Sequence, residues 1–299
     1  MYSVDLRFLI TLFLAFLAGN ILLTFVAAQW RKHTNGRKKM IEDVFAEQIS
    51  NFLYPINGLP PSFIEIQRAL RNVGIREEKK SNVQYLIQLM IKTQRALGGV
   101  NHEKLKKLYG QIPPYRASID KVLKSRSPFQ KARGIREIHE MDQQHYIKSI
   151  APFRDHPDKY VRREAQIALV SFLGWESLRF LPYLSRKISL WQQIKIVEKL
   201  DDLDEAPKID YIRNAYSTTN PDAIELLLRI IKKFYLYSEI EYVFNNVIHK
   251  NYEVRKAAIY CLLSLNVLDH NIKKRLLESI GQIPSDIQRS QLIKYLNKT

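Results

Sequence analysis

The chain of 299 residues contains a single cysteine, Cys261. One thiol excludes an internal disulfide and any multi-cysteine zinc or iron–sulfur site. Cys261 lies on the apolar stripe of a predicted helix, so it reads as a buried, inert thiol rather than a nucleophile. Glycine is scarce, at 10 residues. No phosphate loop, G-x-G-x-x-G, G-x-S-x-G or H-E-x-x-H pattern occurs. The 7 histidines are scattered, and His139 and His145 do not share one helix face. Asp201-Asp202-Leu203-Asp204-Glu205 is the one carboxylate cluster. It lacks the glycine and distal glutamate of a calcium loop and reads as a solvated turn. Runs of alternating Val, Ile and Thr are missing, so no sheet is expected. These absences leave no expected catalytic residue, cofactor site or metal site.

What is present is charge and helix. Net charge is +17, and its distribution is uneven. Residues 29–136 carry a net +14, whereas residues 137–299 carry only +3. The basic half therefore adjoins the N-terminal apolar segment. Hydrophobic content of 46% fits an ordered chain, and the abundance of Leu, Ile, Lys, Glu and Arg favours helix.

Phe8–Ala28 is 21 residues without a charge. At about 1.5 Å per residue that is about 30 Å, one hydrocarbon core. Gly19, Asn20 and two threonines are its only small or polar interruptions; Asn20 reads as a tolerated amide or as a hydrogen-bonding contact to a partner helix. Trp30 follows at interface depth, then Arg31, Lys32, Arg37, Lys38 and Lys39. A cleaved signal peptide is the rival, since Val26-Ala27-Ala28 satisfies the small-residue rule. The apolar core is longer than a signal's, and the positive cluster lies on its C-terminal side. Both favour an anchor with a short outer N-terminus and a cytoplasmic bulk. Trp30, Arg31, Lys32, Arg37, Lys38 and Lys39 are the expected membrane-surface contacts. They set topology, clamp anionic lipid so that the next helix lies on the membrane surface, or both.

Five segments are expected: a tail over 1–7, a transmembrane helix over 8–28, a basic juxtamembrane amphipathic segment over 29–50, a basic helical module over 51–126, and a repeat array over 127–299. Lys38–Phe52 has helical spacing of apolar residues. Ser62 or Pro61 opens a helix that Gly74 closes. Val83–Leu97 is a third helix, ended by Gly98-Gly99.

The array shows a recurring stripe. Anchors at 128, 161, 190, 223, 254 and 288 each start an apolar set at offsets near 4, 7 and 8, with spacings of 33, 29, 33, 31 and 34. A period near 31 predicts stacked helical hairpins with atypical ends. The second helices of the hairpins are expected over Asp142–Phe153, Glu176–Leu184, Ala206–Tyr216, Ser238–Ile248 and Asn271–Ile280. Trp175, Trp191, Tyr183, Tyr235 and Tyr237 read as helix–helix core, with a recognition surface as the alternative.

Asp155–Leu169, D-H-P-D-K-Y-V-R-R-E-A-Q-I-A-L, and Asn251–Leu262, N-Y-E-V-R-K-A-A-I-Y-C-L, share a V-R-x-x-A core. With these two stretches the chain resembles the HEAT-repeat proteins of bacteria, especially the short PBS-lyase type. The resemblance implies an all-α fold: an N-terminal transmembrane helix followed by a helical-hairpin, HEAT-like α-solenoid. It further implies that Asp155, Arg162 and Arg255 brace successive turns, and that Val161, Ala165, Val254 and Ala258 pack between repeats. Asp155 sits one residue further from its Val-Arg pair than the family pattern.

Such families act mostly as scaffolds. The leading expectation is a non-enzymatic, single-pass inner-membrane protein that recruits a protein partner. By resemblance, an envelope glycosyltransferase is one such partner. The alternative is binding of anionic lipid or a lipid-linked phosphate through residues 29–126; a lyase that attaches bilin is a third reading. Nucleic acid is not favoured, because no zinc finger, RNP-like or helix-turn-helix pattern accompanies the basic charge.

Overall fold

The computed structural model describes residues 6–55, 58–76, 80–265 and 270–296. Most of the expected tail over 1–7 lies outside these residues, although the backbone is already helical at Leu6. Among the described residues every regular element is helical. The chain forms two compact units, Met1–Ala117 and Ser118–Thr299. The sequence-based boundary between basic module and array lies nearby, at 126/127.

The first unit is built on α1, Leu6–Leu53, a single helix of 48 residues. At about 1.5 Å per residue it is about 70 Å long. No proline precedes Pro55, so nothing removes a backbone donor along its length. This corrects the expectation of a helix laid on the membrane surface. Such a turn needs a break after the apolar segment, and the helix has none. Its two ends differ in chemistry. Phe13, Phe16, Leu22 and Phe25 are exposed, a burden of roughly 2 kcal/mol each in water. Ile41, Phe45, Ile49 and Leu53 recur every four residues and are buried.

These last four residues sit against α2 (Phe63–Asn72), α3 (Lys80–Ala96) and α4 (Gly99–Tyr109). Ser62 opens α2 with a reciprocal cap: its Oγ accepts from the Glu65 N–H while its own N–H donates to Glu65. Gly74 closes it at φ 83°. The Gly74 N–H donates to the Arg71 carbonyl and the Ile75 N–H to the Leu70 carbonyl. This Schellman pair needs a left-handed residue, which glycine adopts without strain. Ile75 is then fully buried, and Asn82 donates across to the Gly74 carbonyl at 3.0 Å.

The second unit begins within α5 (Pro113–Leu123). Its long helices are α6 (Pro128–Glu140), α8 (Lys159–Leu173), α9 (Leu190–Asp201), α11 (Pro221–Lys233), α13 (Tyr252–Leu265) and α15 (Asp286–Leu296). Each packs on the next in chain order. Between them lie α7 (Ile147–Ile150), α10 (Ile209–Asn214), α12 (Ile240–Asn245) and α14 (His270–Ile280). Apart from α14, the intervening segments are shorter and tighter than expected. The turn over Gly174–Tyr183 is wholly 3₁₀, and the segments around α7, α10 and α12 are 3₁₀ in part. Pro152 and Pro182 lack the donors an α-helix requires, and runs this short nucleate poorly. Trp175, 0% exposed, meets the Phe234 ring edge-on at 4.9 Å.

The true register of the long helices is sharper than the apolar stripe suggested. Their N-caps are Ser127, Asp158, Ser189, Asn220 and Asn251, each 31 residues after the last. Seven residues beyond each cap lie Gly134, Ala165, Ile196, Leu227 and Ala258, all five buried. The anchors placed at 128 and 190 are two residues early. The register positions are Gln130 and Gln192, and a search for apolar residues passes over both. The last helix breaks the period, its turn beginning at Ser285. Tyr295 and Leu296, expected on its stripe, have side chains outside the described set.

Gly134 marks where α6 comes closest to α5. A Cβ there would stand 2.7 Å from the Ser118 carbonyl and 2.8 Å from the Lys121 Cβ. Gly36, in mid-α1, would meet nothing within 4 Å. Gly134→Ala is therefore expected to lower the Tm of the detergent-solubilised chain by about 2–5 °C, overpacking outweighing the gain of about 1 kcal/mol in helix propensity. Gly36→Ala should leave Tm unchanged or raise it. A Tm for Gly134→Ala at or above wild type would show that this contact is not tight.

Candidate functional site

Two features of the chain are candidate sites. The first is a groove of about 700 Å³ in the N-terminal unit. One wall is a single face of α1: Gln29, Lys32, His33, Gly36, Arg37 and Met40. Their spacing of three and four residues puts them in one row. The facing wall is the turn after α2, with Arg71, Gly74, Arg76 and the buried Asn82. Lys32, Arg37, Arg71 and Arg76 are cationic, and among the described residues none that lines the groove is acidic. Arg37 contacts the His33 ring at 2.9 Å. Arg71 and Arg76 are exposed and make no ion pair among the described residues.

Of the expected membrane-surface residues, the structure thus brings Lys32 and Arg37 to the groove. Trp30, Arg31 and Lys39 are exposed on α1 outside its lining. Lys38 stands 5.3 Å over the Tyr85 ring. Tyr85 donates to Glu42, and that bond, with burial and the nearby charge, pushes its hydroxyl up to about 12. Asn20 donates to the Phe16 carbonyl at 2.9 Å, so its amide N–H is satisfied within its own helix.

The second feature is the repeat itself. Arg162 donates from Nη1 to the His156 and Pro157 carbonyls at 2.6 and 3.2 Å, and from Nη2 to the Lys187 carbonyl at 3.3 Å. Arg255 reproduces this at the His249 and Lys250 carbonyls, at 2.8 and 3.0 Å, and donates from Nε to Gln288 at 2.9 Å. Gln193 occupies the same column and donates to the Ile188 carbonyl at 3.3 Å. Two further pairs share the pattern. Asp158 and Asn251 cap the helices, while the His156 and His249 rings accept from those residues' own N–H groups. The shared unit is thus His-x-Asp/Asn-x-x-Val-Arg, longer than the Val-Arg pair. Alignment of the two stretches on their caps reveals it.

Asp155 is not the cap. It reaches across 30 residues to the Ser185 and Arg186 N–H groups and the Ser185 hydroxyl. Val161, Ala165, Val254 and Ala258 are buried at the helix contacts. Cys261 is 0% exposed, and burial pushes its thiol up to about 12, which leaves it protonated at neutral pH. Among the described residues no three His, Cys, Asp or Glu side chains come together as a metal site. Asp201, Asp202 and Glu205 are spent in ion pairs with Lys233, Lys199 and Lys208.

Buried carboxylates tie neighbouring helices. Glu164 on α8 accepts from Arg136 on α6 at 2.5 and 3.0 Å and from Arg163 at 2.7 Å. Burial alone would raise its carboxyl; His139, Arg136 and Arg163 outweigh this and hold it below the usual carboxylate range. Glu239 is likewise lowered against burial by Arg213, Tyr216 and Ser238.

Four of the five aromatics expected mainly in the core are instead exposed: Tyr183, Trp191, Tyr235 and Tyr237. Trp191 belongs to a ridge. The second helical residue after successive caps is Phe129, Tyr160 and Trp191, all exposed and 31 residues apart. Arg163 bridges two of them, 5.5 Å over Tyr160 and 4.8 Å over Trp191. Lys159 lies 5.0 Å over Tyr160 and Lys195 5.9 Å over Trp191. In the next two repeats the same position is Asp222 and Glu253.

Compared with known proteins, the chain matches no family model and no curated protein.

Two outcomes test this geometry. Arg162→Ala should lower Tm by about 3–8 °C, because three carbonyls lose their donor. Arg162→Lys should not restore it, since an ammonium lacks the planar fork. Full rescue by lysine would reduce the role to charge alone. For Glu164, the folded group is lowered below its unfolded value of about 4.3. Its stabilisation is therefore complete above that pH and fades as pH falls towards the folded value. Glu164→Gln should cost several degrees of Tm at pH 7 and less at pH 3, where part of the stabilisation is already lost; an equal cost at both would refute the linkage.

Proposed function

We propose that this protein is a membrane-tethered scaffold that captures a protein partner. α1 is long and apolar enough to cross a membrane. In this reading it does so once, with its N-terminal end outside and the helices that follow in the cytoplasm of a bacterial cell. The serial packing of α6, α8, α9, α11, α13 and α15, with caps at a 31-residue period, supports a HEAT-like solenoid of stacked hairpins. Stacked units bury a common core and leave long faces for binding rather than chemistry.

The observation that carries the proposal is the ridge of Phe129, Tyr160 and Trp191, with Arg163 bridging the Tyr160 and Trp191 rings and Lys159 and Lys195 over one ring each. Exposed, pre-positioned aromatics bury much area at little entropic cost and dominate the energetics of interfaces. The interleaved cations favour a partner surface that offers carboxylates beside apolar side chains. Tethering confines the encounter to the plane of the membrane and raises the local concentration of the partner.

The test is cross-linking and affinity purification of the full chain from native membranes, in wild type and in Tyr160→Glu with Trp191→Glu. Acidic residues in the first turn of a helix favour its dipole, and Asp222 and Glu253 already hold this position. The variant should keep its Tm within about 2 °C, consistent with surface substitutions, yet lose the partner. A stoichiometric partner retained by the variant would remove the ridge from the proposal.

A further inference from the structure

The groove has a chemistry that partner capture does not use. Its walls present Lys32 and Arg37 from α1, Arg71 from the end of α2 and Arg76 from the turn after it, with no acidic side chain among the described residues of the lining. Four cations around an open volume repel one another; an anion relieves that repulsion. Guanidinium groups pair with phosphate through two parallel N–H···O bonds. The carboxyl end of α2 would oppose an anion through its partial negative charge. There, however, the Leu70 and Arg71 carbonyls already accept the Ile75 and Gly74 N–H groups. The Schellman turn thus weakens the opposing partial charge and also places Arg71 and Arg76 on either side of Gly74.

Position along α1 narrows the ligand. The apolar run ends at Ala28, and Lys32 stands four residues later, roughly 6 Å further along the axis. The headgroup layer of a bilayer is roughly 5–8 Å deep on each side. The mouth of the groove at Gln29, Lys32 and His33 therefore lies at the depth of lipid phosphates, and the Arg37 backbone stands roughly 6–8 Å beyond that layer, its side chain tilted back towards the N-terminal end of the helix. Gly36 lies between the two levels, and nothing stands within 4 Å of where its side chain would begin. The wall of α1 is open at its centre.

We propose that this groove binds the phosphate group of an anionic membrane lipid, held between Arg71 and Arg76 on one wall and Lys32 and Arg37 on the other. The assignment rests on the membrane placement of α1 proposed above but not on the protein partner. A soluble phosphate shares the same chemistry, so the test separates the two sources.

The full chain, purified in a neutral maltoside detergent, would be titrated with short-chain phosphatidic acid and with phosphatidylcholine of equal chain length, with and without inorganic phosphate as competitor. Phosphatidic acid should bind at least tenfold more tightly than phosphatidylcholine. Arg71→Ala with Arg76→Ala should weaken it about tenfold or more, in line with the loss of charge-assisted hydrogen bonds. Lys38→Ala with Lys39→Ala removes the same charge outside the groove and should change binding less than about threefold, as expected of screened surface charge. Gly36→Phe keeps every charge and fills the open wall, so it should also abolish binding. Competition by inorganic phosphate at equal concentration would assign the site to a free phosphate; its absence assigns it to the lipid. Equal loss in the two double variants, full binding by Gly36→Phe, or no preference for phosphatidic acid would overturn the proposal. Carbonate extraction of native membranes, run in parallel, tests the anchor itself: protein that resists extraction but fails the titration refutes the groove alone, and protein that is extracted refutes the membrane placement.

Discussion

The repeat unit depends on how backbone carbonyls are satisfied in the turns that precede its long helices. Each such turn buries polar backbone where water is scarce, and each unmet group costs about as much as a lost hydrogen bond. At Arg162 and Arg255 one guanidinium meets two carbonyls of its own turn and one group of the next unit. A cap at Asp158 or Asn251 holds the helix start beside it. Turn, helix start and neighbouring unit are thus fixed by one side chain and one cap. Where the column holds Gln193, only the carbonyl of its own turn is met by the same rule, and the link between units passes instead to Glu225 and Arg229. Spacing can then stay at 31 residues although the apolar residues between the caps vary.

This explains what could and could not be read from the sequence. The apolar run and the all-helical character were legible, since both rest on local composition. Ser62 and Gly74 announced the limits of α2 because capping chemistry is local too. The period of the array was legible only approximately. The stripe was sought through apolar residues, whereas Gln130 and Gln192 hold the register position in two units. Gln192 is buried and donates to Gln166 at 2.5 Å, a pairing across 26 residues that no single-unit pattern contains. The short 3₁₀ segments were misread as regular helices because their apolar spacing is helical; in two of them Pro152 and Pro182 decide the backbone.

The groove was illegible for another reason. Arg71 and Arg76 carry no signature that separates them from any solvated arginine. They acquire one only when the turn at Gly74 sets them opposite Lys32 and Arg37, some forty residues earlier in the chain. The aromatic ridge is intermediate. Phe129, Tyr160 and Trp191 share a position after three caps, so the period would have exposed the ridge had the register been set on the caps.

The unbroken course of α1 has a mechanical consequence. A helix that enters the core of the first unit through Ile41, Phe45, Ile49 and Leu53 without a hinge gives that unit no independent azimuth. On the membrane placement proposed for α1, whatever roll its apolar half adopts is handed on to the core, as a spindle turns the wheel fixed to it. Each residue of helix carries about 100° of rotation. The length of the stretch between Ala28 and Ile41 therefore acts as an angular setting: one residue more or fewer would keep the apolar run and the core intact, yet point the first unit in another direction.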